Sequence, residues 1–399
     1  MPEAVIVATA RSPIGRAFKG SLITMRPDDL AAQMVRAVVA KVPQLDPNEI
    51  EDVIMGTGEP AGEGGFNAAR VIALLAGLDN SGGTTVNRYC SSSLQTIRMA
   101  AHAIRSGEGD AFVAGGFETV SRYGRGGGDA RNAAFEAAMA RSTVRGEAGS
   151  AVWTPLAGTL PDVYIAMGHT AENVVQIEGV TREEMDQFAA NSQNRAGAAI
   201  ESGFYEREIV PVSLPDGTIV SKDDCPRPGT TVEKLATLPP AFRPDGKVTA
   251  GNACPLNDGA AAVVVMSDTR ANQLGIKPLA RIVSSAVTAL NPEIMGLGPI
   301  EACRLAMRRA GLTIDDIDLV EINEAFAAQV IPSAKHLGID FGKLNIHGGG
   351  IALGHPFGMT GARIMTTLIN GLESTGGRYG MESMCVGGGQ GMAMIIERL

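Results

Sequence analysis

Cysteine is scarce in this chain, five among 399 residues, and the five form no CxxC pair and no regular spacing. A disulfide framework and a zinc ribbon are therefore excluded, no metal site is expected, and each cysteine is weighed as a thiol. Long apolar runs are lacking too. The longest candidate, Ala260 to Met266, falls far short of the roughly 18 residues that span a bilayer and reads as a buried strand. Positive charge is not in surplus, because the formal net charge is −9. That argues against general nucleic-acid binding and leaves a local basic patch as the way to hold a polyanionic cofactor. Neither Gly-rich run fits the phosphate loop GxxxxGK followed by Ser or Thr, nor a dinucleotide fingerprint, so neither an ATP nor an NAD site is assigned. The chain passes from Met1-Pro2-Glu3 straight into strand-like Ala4 to Ala8, without a basic region or a cleavage site, which gives a cytoplasmic expectation.

What is there is a globular composition, 45% hydrophobic and 19% charged, on a length that implies two or three packed units. One thiol stands out. Cys90 lies in Asn87-Arg88-Tyr89-Cys90-Ser91-Ser92-Ser93, between a β-like Thr84-Thr85-Val86 and a helix whose Leu94, Ile97, Ala101 and Ile104 recur at helical spacing. A lone cysteine is ordinarily a small buried hydrophobe. At a helix N-terminus, however, unpaired N–H groups and the helix dipole favour a thiolate, and a pKa below the free value of roughly 8.5 is expected. His355 is fixed by Gly354, Pro356, Gly358 and Gly361, which preorganise its imidazole as a base or oxyanion donor. His102, His169 and His336 read as surface or core residues, and His347 leans the same way. Cys385 leads into Gly387-Gly388-Gly389, whose backbone can approach a ligand, and a second thiol beside a nucleophile suits proton transfer. Asn323, after a predicted strand, would orient a water or an oxyanion.

An internal repeat organises these residues. Leu45 to Gly56 has a counterpart in Leu312 to Asn323, with Ile50 matching Ile317 and Val53 matching Val320. Each copy follows a helical stretch, Asp28 to Ala40 and Pro299 to Ala310, and ends in a strand. Repeated βα units imply two similar α/β halves whose ligands gather beyond the strand C-terminal ends. Cys90 and His355 occupy equivalent loops, so a pseudo-two-fold arrangement would bring them together. The reading places the first half at residues 1–120 and 251–270, an inserted loop domain at 121–250, and the second half at 271–399. The insertion carries a Gly-rich, Arg-dotted stretch around Gly126-Gly127-Gly128 and a helix from Thr181 to Ser202, opened by Thr181 and Glu184 in capping-box spacing.

Taken in order, seven motifs resemble those of the thiolase family along the whole chain. They are Ala10 to Gly15, the segment at Cys90, Met167 to Asn173, Thr249 to Asn252, Asn323 to Ala327, Gly354-His355-Pro356 and Cys385-Val386-Gly387. The resemblance implies the thiolase fold: two βαβαβαββ halves with five-stranded mixed sheets sandwiched by helices, plus the inserted loop domain, as a homodimer or homotetramer. It also implies a ping-pong reaction on 3-oxoacyl-CoA. His355 activates Cys90, Cys385 protonates the acetyl-CoA carbanion, and coenzyme A, a substrate and not a bound cofactor, takes the acyl group. Two oxyanion sites follow from the family pattern: His355 with a water on Asn323, and the backbone N–H groups of Cys90 and Gly387. Arg227, Met167 and Cys254 match coenzyme-contacting positions. Ser93, Ala166, Cys254-Pro255 and His347 depart from the commoner pattern without removing a catalytic group.

Phe357 is similar to fatty-acid-oxidation members and favours a degradative 3-oxoacyl-CoA thiolase. Met167 and Met295 resemble residues of the short-chain pocket, which keeps a biosynthetic acetoacetyl-CoA thiolase as the near alternative. A decarboxylating ketoacyl synthase would need a second histidine where Asn323 stands. A non-catalytic acyl-CoA or lipid carrier would not need Cys90, Asn323, His355 and Cys385 together. Oxidation joining Cys90 to Cys385 is a further expectation.

Overall fold

In the computed structural model residues 2–125, 131–149 and 152–399 are described; Gly126-Gly127-Gly128 lies outside them. Among the described residues nine strands build the core: β1 (Ala4–Arg11), β2 (Asp52–Gly56), β3 (Gly82–Val86), β4 (Ala111–Thr119), β5 (Asn257–Ser267), β6 (Ala280–Ala289), β7 (Leu319–Ile322), β8 (Tyr379–Val386) and β9 (Gln390–Arg398). A two-residue strand, Gly15–Arg16, also pairs with β5. The order across the sheet is β3-β2-β4-β5-β1-β6-β9-β8-β7. β2 runs parallel to both β3 and β4, and β7 runs parallel to β8.

The repeat read from the sequence is visible in this order. β3-β2-β4-β5-β1 is the five-stranded sheet of the first half, and β7-β8-β9-β6 is its counterpart. Two details differ from a pair of separate five-stranded sheets. The halves are joined by a short antiparallel ladder, Val5 with Arg281 and Ile6 with Ala280. The fifth strand of the second half is reduced to one bridge, Val320 with Leu344. The reason lies in the next residue. Asn345 turns the chain at φ 46°, and its side-chain amide accepts the Ile322 N–H and donates to the Ile322 carbonyl, both at 2.9 Å. A side chain thus supplies the pairing that a strand would have given.

The helices Ser92–Ser106 and Thr360–Thr375 are equivalent in the two halves and pack on each other in the central layer. Leu94, Ile97, Ala101 and Ile104 are buried, as the helical spacing requires. Ser93 Oγ accepts the Ala362 N–H at 2.9 Å, so the serine at this position serves as a tie between the halves. In the segment between the halves, helix Arg182–Glu201 begins at Thr181 with the capping box formed in both directions. It packs against helix Ala327–Leu337 of the second half. Arg11, from the opening motif, is fully buried and paired with Glu208 at 2.9 Å and Asp223 at 2.8 Å, which anchors this segment to β1.

Candidate active site

Four chain segments meet at the C-terminal ends of the parallel strands. After β3 the chain makes one 3-10 turn, Tyr89–Ser91, and Cys90 sits in it just before helix Ser92–Ser106. Tyr89 takes φ 43°, a left-handed conformation unusual for a bulky residue, and so lifts the thiol to the end of the strand. Asn323 follows β7 and Cys385 lies near the end of β8, its parallel neighbour. His355 is delivered by the loop between Gly350–Leu353 and Thr360–Thr375. Gly354 has φ 113°, and a Cβ there would lie 2.6 Å from the Asn257 amide, so only glycine fits.

The Cys90 sulfur is approached by the backbone N–H groups of Gly387 and of Cys90 itself. These donors and the helix terminus favour a thiolate, yet burial dominates and pushes the thiol up to about 12. The expected depressed pKa is therefore corrected: at neutral pH Cys90 is a thiol. Cys385 and Cys254 are also held well above the ordinary thiol range by burial, with further upward pushes from neighbouring thiols, Cys90 among them for both. All five cysteines are free.

His355 is buried, and burial followed by the Arg363 charge pushes it down to about 3, so it is neutral. Its tautomer follows from its neighbour. The Thr360 hydroxyl has one proton and gives it to the Pro356 carbonyl at 2.7 Å. At 2.6 Å from His355 Nδ1 it must therefore accept, which places the ring proton on Nδ1 and a free lone pair on Nε2. His355 Nε2 and both polar side-chain atoms of Asn323 are buried with no protein partner among the described residues. Buried polar atoms are ordinarily hydrogen-bonded, so these are the ones left for a reacting molecule or water.

Supporting residues escaped the sequence reading. Glu118 accepts N–H groups from Gly58 at 2.7 Å and Gly358 at 2.8 Å, fastening loops of both halves. Asn257 accepts the His355 backbone N–H at 2.9 Å. Neither stands in a recognisable motif; only the topology makes them neighbours of the site.

One pocket opens on Cys90, and a groove lies beside the centre at Cys254, whose thiol neighbours those of Cys90 and Cys385. The groove, of about 440 Å³, is lined by Arg227 and Cys254 together with Arg16, Lys19, Leu235, Leu238 and Phe242. Its three cations are the local basic patch that the acidic chain requires for a polyanionic ligand. The pocket, of about 270 Å³, holds Cys90, Gly387 and Met167. Met167 therefore lines the nucleophile's pocket and not the groove, while Met295 is buried in the second half's core. His347 stacks on Phe204 at 3.6 Å, and His336 pairs with Glu178 at the surface; neither lines these openings. Among the described residues no group of three or more His, Cys, Asp or Glu side chains could hold a metal ion, and no helix is long and apolar enough to cross a membrane.

Comparison with known proteins places the chain in a family. Residues 4–269 match the thiolase N-terminal domain and residues 276–398 the thiolase C-terminal domain. A β-ketoadipyl-CoA thiolase of Acinetobacter baylyi is 42% identical over the whole of both chains, and a 3-ketoacyl-CoA thiolase of Bacillus subtilis is 43% identical with the same coverage. The crystal structure of the Bacillus anthracis acetyl-CoA acetyltransferase superposes with a TM-score of 0.87 at 40% identity, covering 100% of this chain and 99% of that one. The chain belongs to the thiolase family of acyltransferases.

Proposed function

We propose that this thiolase cleaves 3-oxoacyl-CoA with coenzyme A, giving acetyl-CoA and a shortened acyl-CoA, in the degradation of fatty or related acyl groups. The observation that carries the reading is a neutral Cys90 thiol with the Gly387 N–H on its sulfur, in a pocket walled by Phe357, whose ring meets that of a His355 with a free Nε2 lone pair. His355 takes the thiol proton as sulfur attacks the 3-keto carbon, and the oxyanion forms against the N–H groups of Cys90 and Gly387. The bond between C2 and C3 breaks. The acetyl-CoA enolate is met by His355, whose Nε2 now donates, and by a water on Asn323. Cys385, held protonated by burial, supplies the proton to C2. The coenzyme thiol then takes the acyl group from Cys90 and returns its proton to the site. Coenzyme A enters and leaves as a substrate along the groove of Arg16, Lys19 and Arg227. The same steps reversed are the condensation of a biosynthetic acetoacetyl-CoA thiolase.

A homo-oligomer belongs to this reading. β3 is an unpaired sheet edge, half-exposed along its length, and Phe66, Val71, Leu74 and Leu75 beside it are exposed. A cytoplasmic location is supported by the five free thiols. The test is coenzyme A-dependent cleavage of acetoacetyl-CoA and a long-chain 3-oxoacyl-CoA, with wild type beside Cys90→Ala. Cleavage is expected in wild type and to vanish in the variant. A folded wild type that cleaves neither would turn the reading to an unusual acyl group or a carrier.

A further inference from the structure

Aromatic side chains make up only 4% of this chain, and it has five tyrosines. Three of those five, Tyr89, Tyr123 and Tyr164, line the single pocket of about 270 Å³ that opens on Cys90, and Phe357 forms another wall. No such concentration occurs in the coenzyme groove, where Phe18 and Phe242 are the aromatic members. From this placement we infer that the acyl group this enzyme accepts carries an uncharged aromatic ring. The inference rests on the 3-oxoacyl-CoA reading above and names the substrate class of that site.

The walls are held before any ligand arrives. Phe357 meets the His355 ring edge to face at 5.2 Å. A Cβ on Gly58 would lie 3.1 Å from the Phe357 Cβ, so that side of the ring is backed by main chain. Tyr164 receives the Asn132 N–H on its hydroxyl at 3.1 Å and packs edge to face on Phe135 at 5.5 Å. Tyr89 lies over Gly387 and Gly388, 3.4 Å from where a Gly387 Cβ would stand. Aromatic walls packed in this way offer the edge-to-face and offset contacts that a ring prefers, and side chains already in contact lose less order on binding.

Size and charge narrow the class. An apolar cavity of roughly 150 Å³ takes benzene. The pocket of about 270 Å³ therefore has room for a ring and a short linker to the thioester carbon. No Arg, Lys or His side chain lines it among the described residues. An acyl group ending in a carboxylate would meet no lining cation among the described residues, which disfavours it relative to a ring. The balanced reaction for a suitable probe is 3-oxo-5-phenylpentanoyl-CoA plus coenzyme A giving 3-phenylpropanoyl-CoA and acetyl-CoA. The C2–C3 bond breaks, C3 passes from the Cys90 sulfur to the coenzyme sulfur, and the coenzyme thiol's proton is made up on C2.

The experiment measures kcat/KM for that probe, 3-oxoadipyl-CoA and acetoacetyl-CoA. The phenyl probe is expected to exceed 3-oxoadipyl-CoA by tenfold or more. Tyr164→Leu is expected to lower the ratio of phenyl probe to acetoacetyl-CoA by about tenfold, and Tyr164→Phe to keep it. Equal or better use of 3-oxoadipyl-CoA, or an unchanged ratio in Tyr164→Leu, would overturn the inference while leaving the thiolase reading intact. If none of the three were cleaved, the thiolase reading would fail. The pocket would then be judged by calorimetric titration of Cys90→Ala: tighter binding of 3-phenylpropanoyl-CoA than of adipyl-CoA supports the aromatic class, and the reverse overturns it.

Discussion

Thr360 carries an argument that a single hydroxyl can test. Its proton is committed to the Pro356 carbonyl, so it fixes the His355 proton on Nδ1 and the basic lone pair on Nε2. Thr360→Val keeps the shape and removes the acceptor. We expect kcat to fall roughly 10- to 100-fold, a share of the 10²–10⁴ that a positioned base supplies, with KM little changed. Thr360→Ser should restore most of it. A Val variant with wild-type kcat would show that Thr360 does not set the tautomer. This residue was not legible in the sequence, where a threonine five positions after a histidine resembles any helix-start residue. Cys90, Asn323, His355 and Cys385 could be singled out from local signals: a helix start after Cys90, a strand end before Asn323, and glycines or proline beside His355 and Cys385. The protonation state of Cys90 could not be, since the helix terminus is local but the burial that outweighs it is made by the whole fold.

At the scale of elements, β7 and β8 set two carboxylates face to face. Glu321 and Glu382 are register partners on adjacent parallel strands, and both are buried. Burial pushes Glu321 up to about 8 against the opposing pull of Arg363, and Glu382 is raised in the same way. The folded chain thus binds a proton on Glu321 in a range where the unfolded chain, with an ordinary glutamate, has released it. Stability from this group is full at acid pH and is lost as pH rises from about 4.3 towards 8. Glu321→Gln removes that titration. The melting temperature of the variant minus that of wild type should therefore climb between pH 5 and pH 8 in thermal scans. A difference that stays constant with pH would show that Glu321 titrates alike in both states. Strand β7 itself was readable from its match to residues 45–56, and Thr181 with Glu184 marked a helix start correctly. The reduction of the neighbouring strand to one bridge was not, because it depends on Asn345 reaching Ile322 across space.

For the molecule as a whole, the offset repeat pointed to two similar halves with Cys90 and His355 in equivalent loops, but not to what sets the spacing of those loops. That spacing depends on the contact between helices Ser92–Ser106 and Thr360–Thr375, whose N-terminal ends adjoin the two reactive loops. Gly361 makes the approach possible: a Cβ there would lie 2.4 Å from the Leu94 backbone nitrogen, and backbone cannot step aside as a flexible side chain can. Ser93 then ties the helices through the Ala362 N–H. Gly361→Ala forces the helices apart, at a cost of about 1–3 kcal/mol typical of overpacking. Because the two loops move with the helices, the same substitution should lower kcat at temperatures where the variant is fully folded. Ser93→Ala leaves a buried N–H unsatisfied and should cost a similar amount, about 1–3 kcal/mol, but without pushing the helices apart. Urea unfolding beside acetoacetyl-CoA cleavage separates the two effects. If Gly361→Ala lost stability and kept wild-type kcat, the contact between the halves would be holding the fold alone, and the distance from thiol to imidazole would have to be set by Glu118 and Asn257 instead.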